Sequence, residues 1–221
     1  MMKRKVMITA AAVATMICSG VSAAPLTDYS VGKTAIDMVV RSSDINIDGA
    51  TVSPSYDKKT NLDWGITTGL GSKFAVQYNG YNAKSKTTTF IDSVEKAEVK
   101  TQEFNVLYQI DPNFSVYAGS IKVKGSVSEV EEGYTVGFPS KSKAQFGLIG
   151  STKIADKTTA YASFAVASDI TNWKIGVSQE IAPNLEFNID YRSLKVKDVV
   201  VTGDSYDVTS KGIGYGITYK F

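Results

Sequence analysis

The sequence contains no histidine among its 221 residues and only one cysteine, Cys18. Without histidine the chain lacks the usual general base of a catalytic triad and the most common nitrogen ligand for zinc. Cys18 lies in a segment that we expect to be removed, so the remaining chain can form no disulfide and offers no thiolate to a metal. We therefore expect no metal site and no cofactor.

Residues 1–23 are predicted to be a cleaved signal peptide. Lys3, Arg4 and Lys5 form a basic start, and an apolar stretch follows from Val6 to Ile17. The small residues Val-Ser-Ala at 21–23 then provide a cleavage site, as secretory signals require. The chain is accordingly expected to be exported, and residues 24–221 are expected to fold as one domain.

Cleavage is predicted after Ala23, because cleavage after Ala24 would leave Pro25 at the new terminus. One alternative is an uncleaved anchor, but the apolar stretch is short for a membrane span. Another is lipidation of Cys18, but the preceding Ile17 is larger than the residue that lipoprotein signals carry there. Both alternatives are disfavoured.

The apparent basic charge of the chain belongs to the signal. The whole sequence has 24 basic and 22 acidic side chains, a net charge of +2, and residues 1–23 hold three of the basic ones and no acidic one. The remaining 21 basic and 22 acidic side chains give −1. No nucleic-acid partner is indicated. Long apolar runs are also missing after residue 23, which excludes helical membrane spans.

Four short segments share one layout, in which an apolar residue precedes a polar tight turn. Gly, Pro, Asn, Asp and Ser dominate their centres, as turn geometry requires. Each segment is predicted to join two strands closely, so that Thr68 pairs with Val76 and Val177 with Ile189. They are LGSKF (70–74), IDPNF (110–114), IADKT (154–158) and IAPNL (181–185).

Between these turns lie longer polar connections, near 48–60, 83–96, 125–142 and 195–206, with a short one near 168–171. Short turns at one rim and long loops at the other are typical of outer-membrane β-barrels, whose short turns are periplasmic. A soluble sandwich would mix loop lengths at both ends. The asymmetry therefore favours a transmembrane barrel.

The fold class predicted is all-β, an antiparallel up-and-down transmembrane β-barrel of about ten strands, with eight as the alternative. Ten is even and brings both chain ends to the periplasmic rim. A phase shift near Ser42 and Ser43 suggests either a bulge in the first strand or its emergence from the membrane. The expected strands are about 34–47, 61–70, 74–82, 97–110, 114–124, 143–154, 158–167, 172–181, 185–194 and 207–221.

In each hairpin the apolar face includes the residues that flank the tight turn. Export and loop asymmetry indicate that this face meets lipid and that the polar face lines the lumen. Glycines 212, 214 and 216 alternate along the last strand and are expected either to leave room for large lumen side chains such as Tyr117 or Tyr161 or to permit barrel curvature. The candidate lumen network is Asp63, Gln77, Glu103, Gln109, Lys153, Lys174, Glu180, Glu186, Asp190 and Arg192.

The chain ends in GYGITYKF (214–221), and it resembles the small bacterial outer-membrane β-barrel proteins of the opacity-protein and small porin-like superfamily. YQIDPNFSVYAG (108–119) and SQEIAPNLEFNIDYR (178–192) resemble the strand–turn–strand units of that superfamily. The resemblance implies a location in the cell outer membrane, contact with its lipid, and insertion by the barrel-assembly machinery. The insertion signal it implies consists of Ile213, Tyr215, Ile217, Tyr219 and Phe221.

The resemblance also bears on catalysis, because the known small-barrel enzymes are similar in using a catalytic histidine. We therefore predict that the chain is not an enzyme. Glu186 and Asp190 could in principle act as an acid pair, but carboxylates near Lys174 and Arg192 more often form a charge network. The acidic residues Glu129, Glu131 and Glu132 are expected to lie in a solvated loop.

Two functions remain open for such a barrel. The preferred one is a structural or surface-binding role through extracellular loops, with a narrow or plugged, charged lumen. The alternative is a small porin-like channel, although wide pores appear only at about sixteen strands. A soluble periplasmic β-protein is a third possibility. The sequence does not identify an extracellular ligand or a host partner.

Overall fold

The computed structural model describes residues 24–49, 53–90, 93–201 and 203–221. The predicted cleavage residue, Ala23, lies outside the described residues. Among these residues every regular element is a β-strand, and none forms a helix that could span a membrane. The strands are β1 (Thr34–Gly49), β2 (Ser55–Gly71), β3 (Phe74–Lys84), β4 (Thr88–Phe90), β5 (Ser93–Asp111), β6 (Phe114–Glu129), β7 (Thr135–Ala155), β8 (Thr158–Val166), β9 (Ile170–Ala182), β10 (Leu185–Val201) and β11 (Asp204–Lys220).

Ten of the strands form a closed antiparallel barrel, which confirms the predicted fold class. The first strand pairs with the last over a continuous register from Ala35–Lys220 to Gly49–Tyr206. Pairing of β3 with β5 completes the ring, and the three-residue β4 is added along β5 beside the loop. The alternative of eight strands is thereby excluded.

The four predicted tight turns all join neighbouring strands and define the short-turn rim of the barrel. Each connection contains two residues rather than three, because one extra residue forms a bulge at the end of a flanking strand. In the β2–β3 turn, Gly71, Ser72 and Lys73 adopt φ of 85°, 51° and 69°. Beyond the bulges the predicted pairs hold, including Thr68–Val76 and Ile189–Val177.

At the opposite end, the long-loop rim, the strands continue well into the polar stretches that we expected to be loops. β7 begins at Thr135, and β10 runs to Val201. The reason is that the two faces exchange character along the barrel. Near the long-loop rim the inner face is apolar and the outer face is polar, so the outward lysines of these strands resemble loop residues in the sequence. The apolar interior here is formed mainly by Ile45, Ile47, Tyr56, Val99, Ile121, Val123, Ile170, Leu194, Val196, Val199 and Val208.

The exchange of faces also accounts for the phase shift near Ser42 and Ser43, and of its two expected explanations the bulge is wrong. The register of β1 against β11 is unbroken there, and inward residues alternate evenly from Asp37 to Ile47. What changes at this point is the chemistry of the inner face, from charged to apolar. The strand itself continues without an irregularity.

The middle of the outer face is a band of exposed apolar side chains. Aromatic pairs border it on both sides: Phe74–Tyr108, 5.1 Å between ring centroids, toward the short-turn rim, and Trp173–Tyr191, 5.5 Å, toward the long loops. Two aromatic belts around an apolar band are typical of barrels in a membrane.

A charge placed in the apolar band should destabilise the barrel only where lipid covers it. Ile189→Arg, on the outer face of β10, should lower the free energy of unfolding in lipid vesicles by about 2–4 kcal/mol. The matched control is Thr209→Arg, on the outer face of β11 near the long-loop rim and outside the apolar band. This variant should change the free energy of unfolding by less than about 0.5 kcal/mol. Equal effects of the two variants in urea titrations would contradict this placement of the membrane.

Candidate functional site

The centre of the lumen is crossed by one guanidinium. Arg41, on β1, donates through Nε to Asp63 of β2, and its Nη1 lies 2.6 Å from Oδ1 of Asp190 on β10. Nη1 also donates to the carbonyl oxygen of Gly212 at 3.1 Å. All three charged side chains are buried. Arg41 therefore ties together strands on both sides of the β1–β11 junction.

A second charged group lies beside the first, around Arg192 of β10. Its guanidinium stacks on the ring of Tyr81 at 3.4 Å, and Nε donates to Oδ1 of Asn172 at 3.1 Å. Nη2 lies 3.7 Å from Glu103, which also accepts a hydrogen bond of 2.7 Å from Asn172. Stacking and charge pairing together stabilise a cation that is shielded from solvent, although its Nη2 makes no hydrogen bond to the described residues.

A chain of amides fills the wall opposite these cations. Gln145 donates to Asn105 at 2.8 Å, and Asn105 donates to Gln77 at 3.2 Å. Asn79 donates to both Gln77 and Glu103, at 3.0 and 3.3 Å. The amides thus connect the neutral wall to the Glu103 carboxylate, as a buried polar network requires.

Glycines make room for the largest lumen side chains, although not the glycines that we expected. A Cβ on Gly147 would lie 2.3 Å from the ring of Tyr117, and one on Gly176 would lie 2.5 Å from the hydroxyl of Tyr161. On β11, Gly214 instead accommodates Arg41, whose Cζ would lie 3.0 Å from an added Cβ. The expectation that glycines 212, 214 and 216 serve the tyrosines is therefore wrong.

Little space is left in the centre. The cavity among Tyr81, Glu103, Tyr117, Lys174 and Arg192 has a volume of about 30 Å³, which is space for about two or three water molecules. Between this cavity and the long-loop rim, the apolar interior closes the barrel. On the other side of the cavity, a vestibule of about 510 Å³ opens at the short-turn rim.

Residues 24–33, which precede β1, lie between the central lumen and the vestibule. Leu26 and Tyr29 pack against lumen residues that include Leu107 and Tyr117. The Tyr29 hydroxyl donates to Ser115 at 3.1 Å. The segment thus covers the centre of the lumen from the short-turn side. Nothing in its sequence pattern had indicated this position.

Six of the ten predicted lumen residues lie buried together in the centre, and the other four lie nearer the short-turn rim. Asp63, Gln77, Glu103, Lys174, Asp190 and Arg192 belong to the buried centre. Gln109 donates to the carbonyl oxygen of Thr27 at 2.6 Å, and the remaining three, Lys153, Glu180 and Glu186, line the vestibule. The prediction omitted Arg41, although alternation along β1 places it on the same face as Asp37. It also omitted Asn79, Asn105, Gln145, Asn172, Asn188 and Thr218.

Glu186 and Asp190 do not form an acid pair. Glu186 accepts a hydrogen bond of 2.6 Å from Lys220 at the vestibule, whereas Asp190 is paired with Arg41 in the centre. Glu129 is also engaged: its carboxylate accepts the backbone N–H groups of Glu131, at 3.0 Å, and of Glu132. In the described part of the chain no three carboxylate side chains come together as a metal site would require.

The five residues of the implied insertion signal form one outward row along β11 and the residue that follows it, Phe221. Ile213, Tyr215, Ile217, Tyr219 and Phe221 are all exposed. Their neighbours Gly214, Gly216 and Thr218 point inward. The row is therefore positioned to contact lipid or a protein that binds the edge of the strand, and its role as a signal stays a prediction.

At the long-loop rim, Lys141 joins three segments. Its ammonium group donates to Asp169 in the β8–β9 turn and to the carbonyl oxygens of Lys197 and Asp198, at 2.6 and 2.9 Å, on β10. Partial burial acts to raise the pKa of Asp169, but hydrogen bonds from Lys141 and Ser168 outweigh it, and the net pKa lies below the usual value of 3.8.

No protein-family model matches the sequence, and no curated protein matches it. Solved structures do match the fold. The outer membrane protease OmpT from Escherichia coli superposes with a TM-score of 0.60 at 12% identity, covering 86% of this chain and 96% of that one. Ail of Yersinia pestis and Neisserial surface protein A each cover 86% of this chain and 99% of theirs, with TM-scores of 0.42 and 0.44 at 10% and 12% identity. The chain has the fold of a small outer-membrane β-barrel.

The comparison with OmpT corrects the prediction that the chain is not an enzyme. OmpT is a protease, so this fold does not separate the chain from enzymes. The prediction depended on the absence of histidine. That absence removes one kind of general base, but carboxylates, lysines and tyrosines, all present here, can also transfer protons. The exclusion was too broad, and the prediction is wrong.

Removing Arg41 should leave two buried carboxylates without their shared cation. Arg41→Met should lower the free energy of unfolding by about 3–5 kcal/mol, the usual cost of breaking a buried pair, measured by urea titration in vesicles. The triple variant Arg41→Met, Asp63→Asn, Asp190→Asn should recover most of it. Lys195→Met, which breaks the exposed pair with Asp207, is the control and should cost below about 1 kcal/mol. Equal losses for Arg41→Met and Lys195→Met would contradict the proposed importance of Arg41.

The Asp169 pair should stabilise the long-loop rim in a pH-dependent way. Because the folded pKa lies below 3.8, the stabilisation should be present above that pH and should disappear as the pH falls through the lowered pKa. Asp169→Asn should therefore cost about 1 kcal/mol at pH 7, and it should match the wild type well below pH 3.8. A loss that persists unchanged at low pH would mean that the carboxylate acts through packing rather than charge.

Proposed function

We propose that the chain is an outer-membrane barrel with a sealed lumen, which acts through its extracellular end and not as an open pore. The observation that carries the proposal is the position of Arg41, bound to Asp63 and Asp190 across the middle of the lumen. A conducting path would have to pass this group. Removing a paired guanidinium from its carboxylates costs several kcal/mol, so thermal opening would be rare.

Two further layers support a sealed lumen. The interior on the long-loop side is formed mainly by apolar side chains, which cannot replace the hydration shell of an ion. Residues 24–33 cover the lumen from the other side. A small porin-like channel, the alternative, would need all three layers to move, and the central cavity of about 30 Å³ is too small for a hydrated solute.

The extracellular end is the surface available for binding. In our proposal the short-turn rim faces the periplasm and the long-loop rim faces outward, as in other outer-membrane barrels. The loop after β6 exposes Val130 and Tyr134 beside Glu131 and Glu132. The Glu129 carboxylate holds the backbone of this loop. The exposed side chains are therefore presented on a fixed turn, which favours binding of a partner.

Conductance in planar lipid bilayers tests the sealed lumen. Refolded protein that shows the heat-dependent gel shift of a folded barrel should give only the leak current of the bare bilayer. The same preparation serves as its own folding control. Stable, discrete conductance steps above the leak would overturn the proposal in favour of a channel.

Cysteine labelling on intact cells tests the orientation. The only cysteine of the sequence is Cys18, in the predicted signal, so a single introduced thiol can be read without background. Glu131→Cys, in the long loop, should react with a membrane-impermeant maleimide on intact cells. Asp156→Cys, in a short turn, should react only after the outer membrane is permeabilised. The reverse pattern would overturn the orientation, and reaction of neither thiol after permeabilisation would overturn the exposure of both segments.

A further inference from the structure

The buried centre of the lumen carries unequal charge. Its charged side chains comprise four carboxylates, Asp37, Asp63, Glu103 and Asp190, and three cations, Arg41, Lys174 and Arg192. Four negative and three positive charges leave a net charge of −1. Glu129, also buried, is the last residue of β6 at the long-loop rim, and its carboxylate is bound to backbone amides of the following loop. Uncompensated charge in a space without bulk water is costly, so a fourth cation is expected nearby.

The backbone nitrogen of Ala24 lies where such a cation would be useful. It donates to Oγ1 of Thr218 at 3.3 Å, and Ala24 is only 2% exposed. The Thr218 hydroxyl in turn donates to Asp37, and Asn188 donates to the same hydroxyl at 2.9 Å. The nitrogen thus lies one hydroxyl away from one of the four carboxylates.

Cleavage after Ala23 would convert this nitrogen from a peptide N–H into an α-ammonium group. We infer that the processed N-terminus is a built-in part of the lumen, in which the α-ammonium of Ala24 binds Thr218 and Asp37 and balances the lumen charge. This inference depends on the predicted cleavage position and not on the proposed function. The new group has three N–H donors and one positive charge, and it makes the count four against four.

The residues that follow Ala24 are held in a way that fixes this position. Gln109 donates to the carbonyl oxygen of Thr27 at 2.6 Å, and the Tyr29 hydroxyl donates to Ser115 at 3.1 Å. The N–H of Gly71 donates to the carbonyl oxygen of Tyr29 at 2.8 Å. Each anchor comes from a different strand, β5, β6 and β2. The segment therefore enters the lumen along one defined path and cannot shift by a residue without losing all three bonds.

The other charges near the terminus do not replace this role. Glu186 and Lys220, which line the same vestibule, form a pair of their own at 2.6 Å. Lys153 and Lys157 also line the vestibule, at the short-turn rim, where water reaches them. The α-ammonium differs from these lysines because the nitrogen that would carry its charge is already buried beside Thr218.

Reactivity of the terminal amine tests the inference on protein expressed with its own signal and purified from the outer membrane. The intact mass should correspond to a chain that starts at Ala24. Brief treatment of the folded protein with acetic anhydride at neutral pH should modify the Ala24 amine at least tenfold more slowly than in urea-unfolded protein. Lys33, exposed in the same segment, is the internal control and should react readily in both states.

Two variants distinguish charge pairing from simple burial. Asp37→Asn, or Thr218→Val if that protein does not fold, should increase the labelling of Ala24 in folded protein severalfold and leave Lys33 unchanged. Asp207→Asn, at the far rim, should change neither. A chain that starts at another residue would overturn the inference, as would an Ala24 amine that reacts in the folded wild type as fast as Lys33. Labelling that is unchanged in both lumen variants would also overturn it.

Discussion

The guanidinium of Arg41 holds Asp63 and Asp190 across the lumen, and the arrangement of the interior follows from the need to satisfy this group. A cation shared by two carboxylates requires Asp63 on β2 and Asp190 on β10 to lie at the same level along the barrel axis as Arg41 on β1. On β11, Gly214 lies beside both Val39 and this guanidinium, and an added Cβ would lie 2.5 Å from Val39 and 3.0 Å from Arg41. The remaining carboxylates and cations are then arranged around it through amides and stacked tyrosines. The centre of the barrel is densely packed with charged and polar side chains and is not a water-filled tube.

Along its length the wall changes which face is apolar. In the membrane band the outer face is apolar and the inner face is charged, whereas toward the long-loop rim Ile45, Ile121 and Leu194 point inward and lysines point outward. The first arrangement suits lipid outside, and the second suits water outside. The exchange therefore marks the membrane boundary on the barrel itself. The strands need no break at this boundary because alternation continues through it.

Much of the fold could be predicted from period-two alternation and turn chemistry, including ten strands and the register of hairpins such as Ile189–Val177. The continuation of the strands toward the long-loop rim could not be predicted. The outward lysines of a stretch such as KVKDVV (195–200) resemble loop residues if lipid is assumed to surround the whole barrel. In the site, carboxylates and cations on inward positions were identifiable singly. Their partners were not: the pairing of Arg41 with Asp190 joins residues far apart in the chain, and the packing of residues 24–33 follows no periodicity.

The charged lumen and the apolar extension together explain why each strand has one permitted register. A slip of one residue turns every side chain to the other face. In β1 such a slip would turn Arg41 toward lipid, which costs several kcal/mol, and would turn Ile45 toward water. The charged half of β1 thus disfavours a register slip because a charge would face lipid, and the apolar half disfavours it because apolar side chains would face water. Buried ion networks add little stability over apolar packing, so in this barrel the network's contribution lies in fixing which face points inward.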